Sequence, residues 1–148
     1  MPDTSLHSLA EFRHQIRRFL SFSRRAARAA GLDPQQHQML LAIAGAPAGQ
    51  STHIGYLAQR LFLHHNTAVE LVNRLERKRL ARRLPSPSDG RRVLVAVTPR
   101  GQRILSTLTR HHLTELRSAG PSLIRSLQVV LADSRNQRRP RHARRSSR

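Results

Sequence analysis

The chain has no cysteine and no tryptophan, and its 148 residues include only four Phe and one Tyr. Without cysteine it has no disulfides, no thiolate metal ligands and no thiol redox chemistry. With 3% aromatic side chains in a 38% apolar composition, the core is aliphatic and modest, suited to one domain that gains stability from a second copy. Carboxylates are scarce too: Asp3, Glu11, Asp33, Glu70, Glu76, Asp89, Glu115 and Asp133. Their spacing suggests neither a paired acid and base nor a triad, and no glycine-rich phosphate loop is present, so neither an enzyme nor a cofactor is expected. No apolar run reaches the roughly 18 residues that span a bilayer, and the N-terminus lacks the basic-then-apolar order of a signal peptide. The expectation is a soluble, cytoplasmic protein with no membrane partner.

What the chain has in excess is arginine. Against 8 acidic residues stand 27 basic ones, a formal charge of +19, and every cation except Lys78 is an arginine. Such an excess attracts a polyanion, because neutralising phosphates releases condensed counterions and makes affinity depend on salt. DNA, RNA and an acidic membrane surface share that property. Nine histidines raise the question of a metal. Neighbours on a helix diverge by about 100°, so neither His64 with His65 nor His111 with His112 chelates one ion unaided. His111 has a carboxylate four residues on, Glu115, which is a weak two-ligand pair, and no metal is expected.

Along the chain, Leu9, Phe12, Ile16, Phe19 and Leu20 recur at helical spacing and predict a long first helix over 5–30, stopped by Gly31. Asp33, Pro34 and Gln36 form a capping signal for a second helix to about Ala44. After Ser51 and Thr52, either able to cap, Ile54, Leu57, Ala58 and Leu61 fall at i, i+3, i+4, i+7, and the spacing recurs at Ala68, Leu71, Val72 and Leu75. Two short helices therefore meet across a tight turn. A strand over 80–84, a turn cluster of Pro85, Pro87, Asp89 and Gly90, and a return strand over 93–97 make a small hairpin. Thr98 and Pro99 start another helix, which is expected to break at Gly120, with Pro121 starting a last one. The stretch 134–148 holds seven arginines and one aliphatic side chain, Ala143, and is expected to be a disordered tail.

Helix, turn, helix and hairpin in this order make a winged helix-turn-helix, and the chain resembles the MarR (multiple antibiotic resistance regulator) family over residues 32 to about 116. Residues 54–61 (IGYLAQRL) look like its supporting helix and 64–76 (HHNTAVELVNRLE) like its recognition helix. Residues 89–101 (DGRRVLVAVTPRG) look like its wing and the start of the next helix. The resemblance implies a mainly α fold with a small β-wing, and a homodimer whose shared helical region comprises 1–31 and 99–133. The winged DNA-binding region would be 32–98. It further implies a recognition helix in the major groove of each half-site of a pseudo-palindromic operator, a wing in the adjacent minor groove, and release by small aromatic or phenolic ligands. Arg79 departs from the pattern, standing where many members have glycine, so there the chain turns less tightly or arginine adopts an unusual backbone conformation.

On the outward face of the recognition helix, His65 and Asn66 are placed for base edges, Asn being suited to adenine, although Asn66 is also a good cap residue. Thr67 suits a phosphate or the helix start. Glu70 would repel phosphates unless it accepts from a cytosine amino group or pairs with Arg74 one turn later, and the pair is favoured. Arg74 then orients on the backbone. In the wing, Asp89 and Arg91 match the family's Asp-x-Arg, with Arg91 expected in the minor groove and Arg92 on a phosphate. Arg82 and Arg83 alternate faces, so at most one points at DNA. Phe12, Ile16 and Phe19 are candidates to line an effector pocket, though a stripe at helical spacing more often belongs to a dimer core. The sequence thus reads as a dimeric regulator, expected to repress from a double-stranded operator. The alternative is a non-specific basic protein, architectural or RNA-associated, that uses its charge and tail.

Overall fold

The computed structural model describes residues 4–88 and 90–137; Asp89 and the part of the arginine-rich tail from residue 138 lie outside the described residues. Within them run α1 (Thr4–Ala29), α2 (Pro34–Ala44), α3 (Ile54–Arg60), α4 (His65–Arg77), β1 (Ala81–Pro85), β2 (Val93–Val97) and α5 (Pro99–Gln137). The fold is mainly helical with a two-stranded antiparallel wing, as the periodicity predicts. No helix among the described residues is long and apolar enough to cross a membrane. The chain divides into two compact units, Ser23–His112 and a second made of Met1–Phe22 with Leu113–Arg148.

The winged unit is built on aliphatic packing. Met39 and Leu40 of α2, Leu57 of α3, Val72 and Leu75 of α4, Val95 of β2 and Leu108 of α5 are fully buried in one cluster, together with Leu80. β1 pairs with β2 from Ala81 opposite Val97 to Pro85 opposite Val93. Outside this pair, the Val95 N–H donates to the Thr52 carbonyl (3.0 Å), the Thr52 hydroxyl donates to the Val95 carbonyl (2.7 Å), and His53 bridges Leu94. That use of Thr52 corrects the expected cap of α3. The cap is His53, whose Nδ1 accepts from the Tyr56 N–H at 3.2 Å.

Three helices end in the same way. In α1 the Gly31 N–H donates to the Arg28 carbonyl and the Leu32 N–H to Ala27. In α3 the donors are Phe62, to Gln59, and Leu63, to Ala58; in α4 they are Arg79, to Glu76, and Leu80, to Leu75. Each pair satisfies two terminal carbonyls and needs a left-handed residue just past the helix. The φ values are +79° at Gly31, +55° at Phe62 and +59° at Arg79. Arginine does adopt the unusual conformation that its position suggested. Leucine follows in all three cases, buried at Leu32 and Leu80 and half-buried at Leu63, so at Arg79 core burial of the next residue holds the strained one in place.

In the other unit, α5 runs unbroken through the expected break, with Pro121 inside it. Proline removes one helical bond and normally pushes the preceding residue out of helical conformation by clashing with its Cβ. Here that residue is Gly120, which has no Cβ. The helix also continues through Ser134 to Gln137, so the first four residues of the expected disordered tail are helical. This unit leaves apolar side chains in the open, with Leu6 67%, Ile124 58% and Leu113 53% exposed, and Leu9, Val129 and Leu131 also exposed.

Candidate nucleic-acid interface

The candidate reading helix is α4. Its apolar stripe, Ala68, Leu71, Val72 and Leu75, is buried, which turns His65, Asn66, Thr67, Glu70, Arg74 and Arg77 outward. The residue capping α4 is His64, in extended conformation with no side-chain cap bond. Asn66 lies at the second helical position, exposed, so the capping role weighed for it is not the one it plays. Asn66, Thr67, Glu70 and Arg74 line one open groove of about 390 Å³ with Leu71 and with Gln35 of α2. Four of the five residues assigned to the helix from sequence thus share one surface.

Glu70 makes the expected pair with Arg74, whose Nε donates to Oε1 at 3.3 Å. It makes a second that the sequence reading missed: Arg77 Nη2 donates to the same oxygen at 3.1 Å. The signal was present as an i, i+7 spacing, two helical turns, which an i+4 rule does not search. Bonds from Arg77 first and Arg74 second hold the Glu70 carboxyl below the ordinary carboxylate value.

The inner edge of α4 is tied to the wing. Arg83 of β1 donates through Nη2 to Asn73 Oδ1 (2.9 Å) and through Nη1 to Glu76 Oε1. Arg83 therefore faces α4, while Arg82 is exposed. At the wing tip Arg91 and Arg92 are exposed, and the Ser86 N–H donates to the Arg92 carbonyl (3.0 Å). Thr98 fastens the far end of the hairpin. Its hydroxyl donates to the Arg79 carbonyl (2.7 Å) and accepts from the Gly101 N–H (3.1 Å), capping α5, while its own N–H donates to the Leu80 carbonyl (3.0 Å). Gly101 is required there, because a Cβ would overlap the Leu80 carbonyl oxygen and come within 2.8 Å of Val97 Cγ1.

Behind the reading helix lies a polar cluster that the sequence did not suggest. His112 Nδ1 donates to the Leu108 carbonyl (2.7 Å), so in the neutral ring Nε2 accepts from the Ser23 hydroxyl (2.9 Å). The ring of His37 lies 4.9 Å from that of His112. His37 is 2% exposed, and burial first, then the charge that His112 would carry, lowers its pKa from 6.5. The expected effector residues Phe12, Ile16 and Phe19 are half-buried on α1. A second open groove, about 840 Å³, lies between α2 and α3, against Leu41, Tyr56, Arg60 and Phe62.

Comparison with known proteins starts from this unit: residues 30–92 match the model of the MarR family. That match covers the helix-turn-helix and the first strand of the wing, and is what the winged unit is similar to. A Thauera aromatica protein provisionally named as the transcriptional regulatory protein for the hcr operon is 35% identical over 97 residues, 65% of this chain and 56% of its own length. The chain thus spans little more than half of that relative. Solved MarR-family structures share the fold over most of the chain. AbsC of Streptomyces coelicolor superposes with a TM-score of 0.68 at 18% identity, covering 80% of each chain. Apo MarR of E. coli gives 0.64 at 19%, covering 86% of this chain and 93% of its own. A MepR variant of S. aureus bound to an oligodeoxyribonucleotide gives 0.60 at 19%, covering 85% and 94%.

Proposed function

We propose that the chain is a dimeric, sequence-specific DNA-binding regulator that represses transcription by occupying a pseudo-palindromic operator and is released by a small aromatic ligand. One observation carries the reading. The outward face of α4 is polar and basic, four of its side chains line one groove, and Arg83 braces the helix against an arginine-tipped wing. His65, Asn66 and Glu70 would read base edges, Thr67 and Arg74 would contact the backbone, and Asp89, Arg91 and Arg92 would serve the wing. The exposed leucines and isoleucine of α1 and α5 support a second copy as the partner that covers them. The MepR structure with an oligodeoxyribonucleotide supports the choice of DNA.

The charge of +19 supports a second reading, a non-specific polyanion binder. Selection of duplexes from a random library at physiological salt separates the two, using the full chain and a version ending at Gln137, which keeps α5 whole. Enrichment of one palindromic motif by both versions supports the regulator. Enrichment of nothing, with binding lost on truncation, supports the non-specific binder.

A further inference from the structure

Resting on the operator reading above, we infer that Glu70 is a base-reading residue whose Oε2 accepts the major-groove amino hydrogen of a cytosine in each half-site. A carboxylate on the face turned toward a polyanion needs a reason, the more so in a chain with 8 acidic residues against 27 basic. The other carboxylate of α4, Glu76, is turned toward the wing and engages Arg83. Glu70 remains on the outward face, in the same groove as Asn66, Thr67 and Arg74.

Two features fit it to the task. Arg74 and Arg77 offset its charge, and both of their bonds end on Oε1, so neither guanidinium takes Oε2; Asn73 adds a weaker side-chain hydrogen bond to the same carboxylate. The base chemistry then selects cytosine. An ionised carboxylate only accepts, and the amino donors in the major groove are cytosine N4 and adenine N6. Adenine carries the N7 lone pairs beside its amino group, which repel a carboxylate, whereas cytosine offers only C5–H there. The partner guanine presents O6 and N7 to a neighbouring guanidinium.

The test is selection from a random duplex library with the full wild-type chain, Glu70→Gln and Glu70→Ala, followed by titration of the winning duplex. Wild type should hold a cytosine column in each half-site. Replacing that cytosine by thymine, or methylating its N4, should weaken binding by about tenfold or more, the scale of one good base contact. Glutamine, able to donate and accept, should move the column to adenine, and alanine should erase it while binding unrelated duplexes at least as well. A wild-type motif whose columns are the same in both variants overturns the inference and leaves the operator reading standing. So does affinity that rises uniformly in Glu70→Ala with no change of sequence preference, which would make Glu70 only a charge on the surface. If wild type enriches no motif, the operator reading falls and the inference with it.

Discussion

Replacing Arg79 or Phe62 by glycine should make the protein more stable, an unusual outcome for removing a large side chain. Both residues hold left-handed φ, +59° and +55°, at helix ends closed by the same two bonds that Gly31 uses. An L-residue there costs roughly 1–2 kcal/mol relative to glycine. Glycine's greater freedom in the unfolded chain takes back about 0.4–1 kcal/mol, leaving a net gain of roughly 0.5–1 kcal/mol per site. Little packing is lost in exchange, since the Phe62 side chain is 97% exposed and that of Arg79 is exposed. The backbone bonds from Arg79 N–H to Glu76 and from Thr98 to the Arg79 carbonyl do not depend on the side chain. The two sites lie on different helices, so the double variant should gain about 1–2 kcal/mol. At this chain length that raises Tm by about 2–8 °C. Gly31→Ala is the mirror experiment and should lose about 1 kcal/mol or more. Urea unfolding followed by far-UV circular dichroism reads the wild type and all four variants. If both glycine variants are neutral or less stable while m is unchanged, these φ values are not where the helix ends store strain, and the argument from the three terminations fails.

Gly101→Ala should do the opposite. Its Cβ overlaps the Leu80 carbonyl oxygen, so the start of α5 has to move off the bonds made by Thr98. The loss should be about 1–3 kcal/mol, and an alanine variant as stable as wild type would contradict the packing described. The buried His37 binds a proton less readily folded than unfolded, so its contribution to stability is complete above its unfolded value of about 6.5 and is lost as pH falls below it. Urea midpoints measured across mildly acidic pH should therefore fall in wild type and fall less in His37→Gln; parallel curves would remove His37 as the cause. Arg91→Ala should weaken operator binding and reduce the salt slope by about one while Tm stays unchanged, and an unaltered titration would take the wing out of the interface.

Periodicity and capping made most of the architecture legible, because α1, α3, α4 and α5 carry apolar stripes and α2 and α5 carry start signals. The Asp33, Pro34 and Gln36 capping signal opens α2 as expected, with the Asp33 N–H donating to Gln36 Oε1 at 3.1 Å, and Val93–Val97 is the return strand residue for residue. Errors arose where a local rule met a non-local partner. Thr52 is a good cap residue, but its hydroxyl is taken by Val95, 43 residues on. Pro121 is a different case, a local one: it is a good helix start, but the Gly120 before it has no Cβ to clash with the ring, and the helix runs on. On α4 the sequence supplied the outward placement of the candidate residues and one of the two Glu70 pairs, because a helix face is fixed by its own period. The His37 and His112 contact was not legible, since nothing local connects side chains on α2 and α5.

The bonds around α4 divide it into two halves with different duties. Towards its C-terminus, Asn73 and Glu76 hold Arg83, Lys78 Nζ donates to the Gly31 carbonyl (3.0 Å) and to Gln36 Oε1 (2.9 Å), and Arg79 is pinned through its carbonyl by Thr98. β1, α2 and the start of α5 thus all grip the end of the helix, and His65, Asn66, Thr67 and Glu70 project from the other half. A reading surface is useful only if its side chains arrive in register with the groove, and ordering it at the moment of contact would subtract from affinity. Fastening one end while leaving the other half bare settles that cost during folding. It also explains why the wing, which would touch DNA at its tip, contributes at its base a guanidinium that faces the helix instead. On the proposed function, Arg83 would belong to the support of the reading face and Arg91 to its reach, although both are arginines of one hairpin in a chain full of arginine.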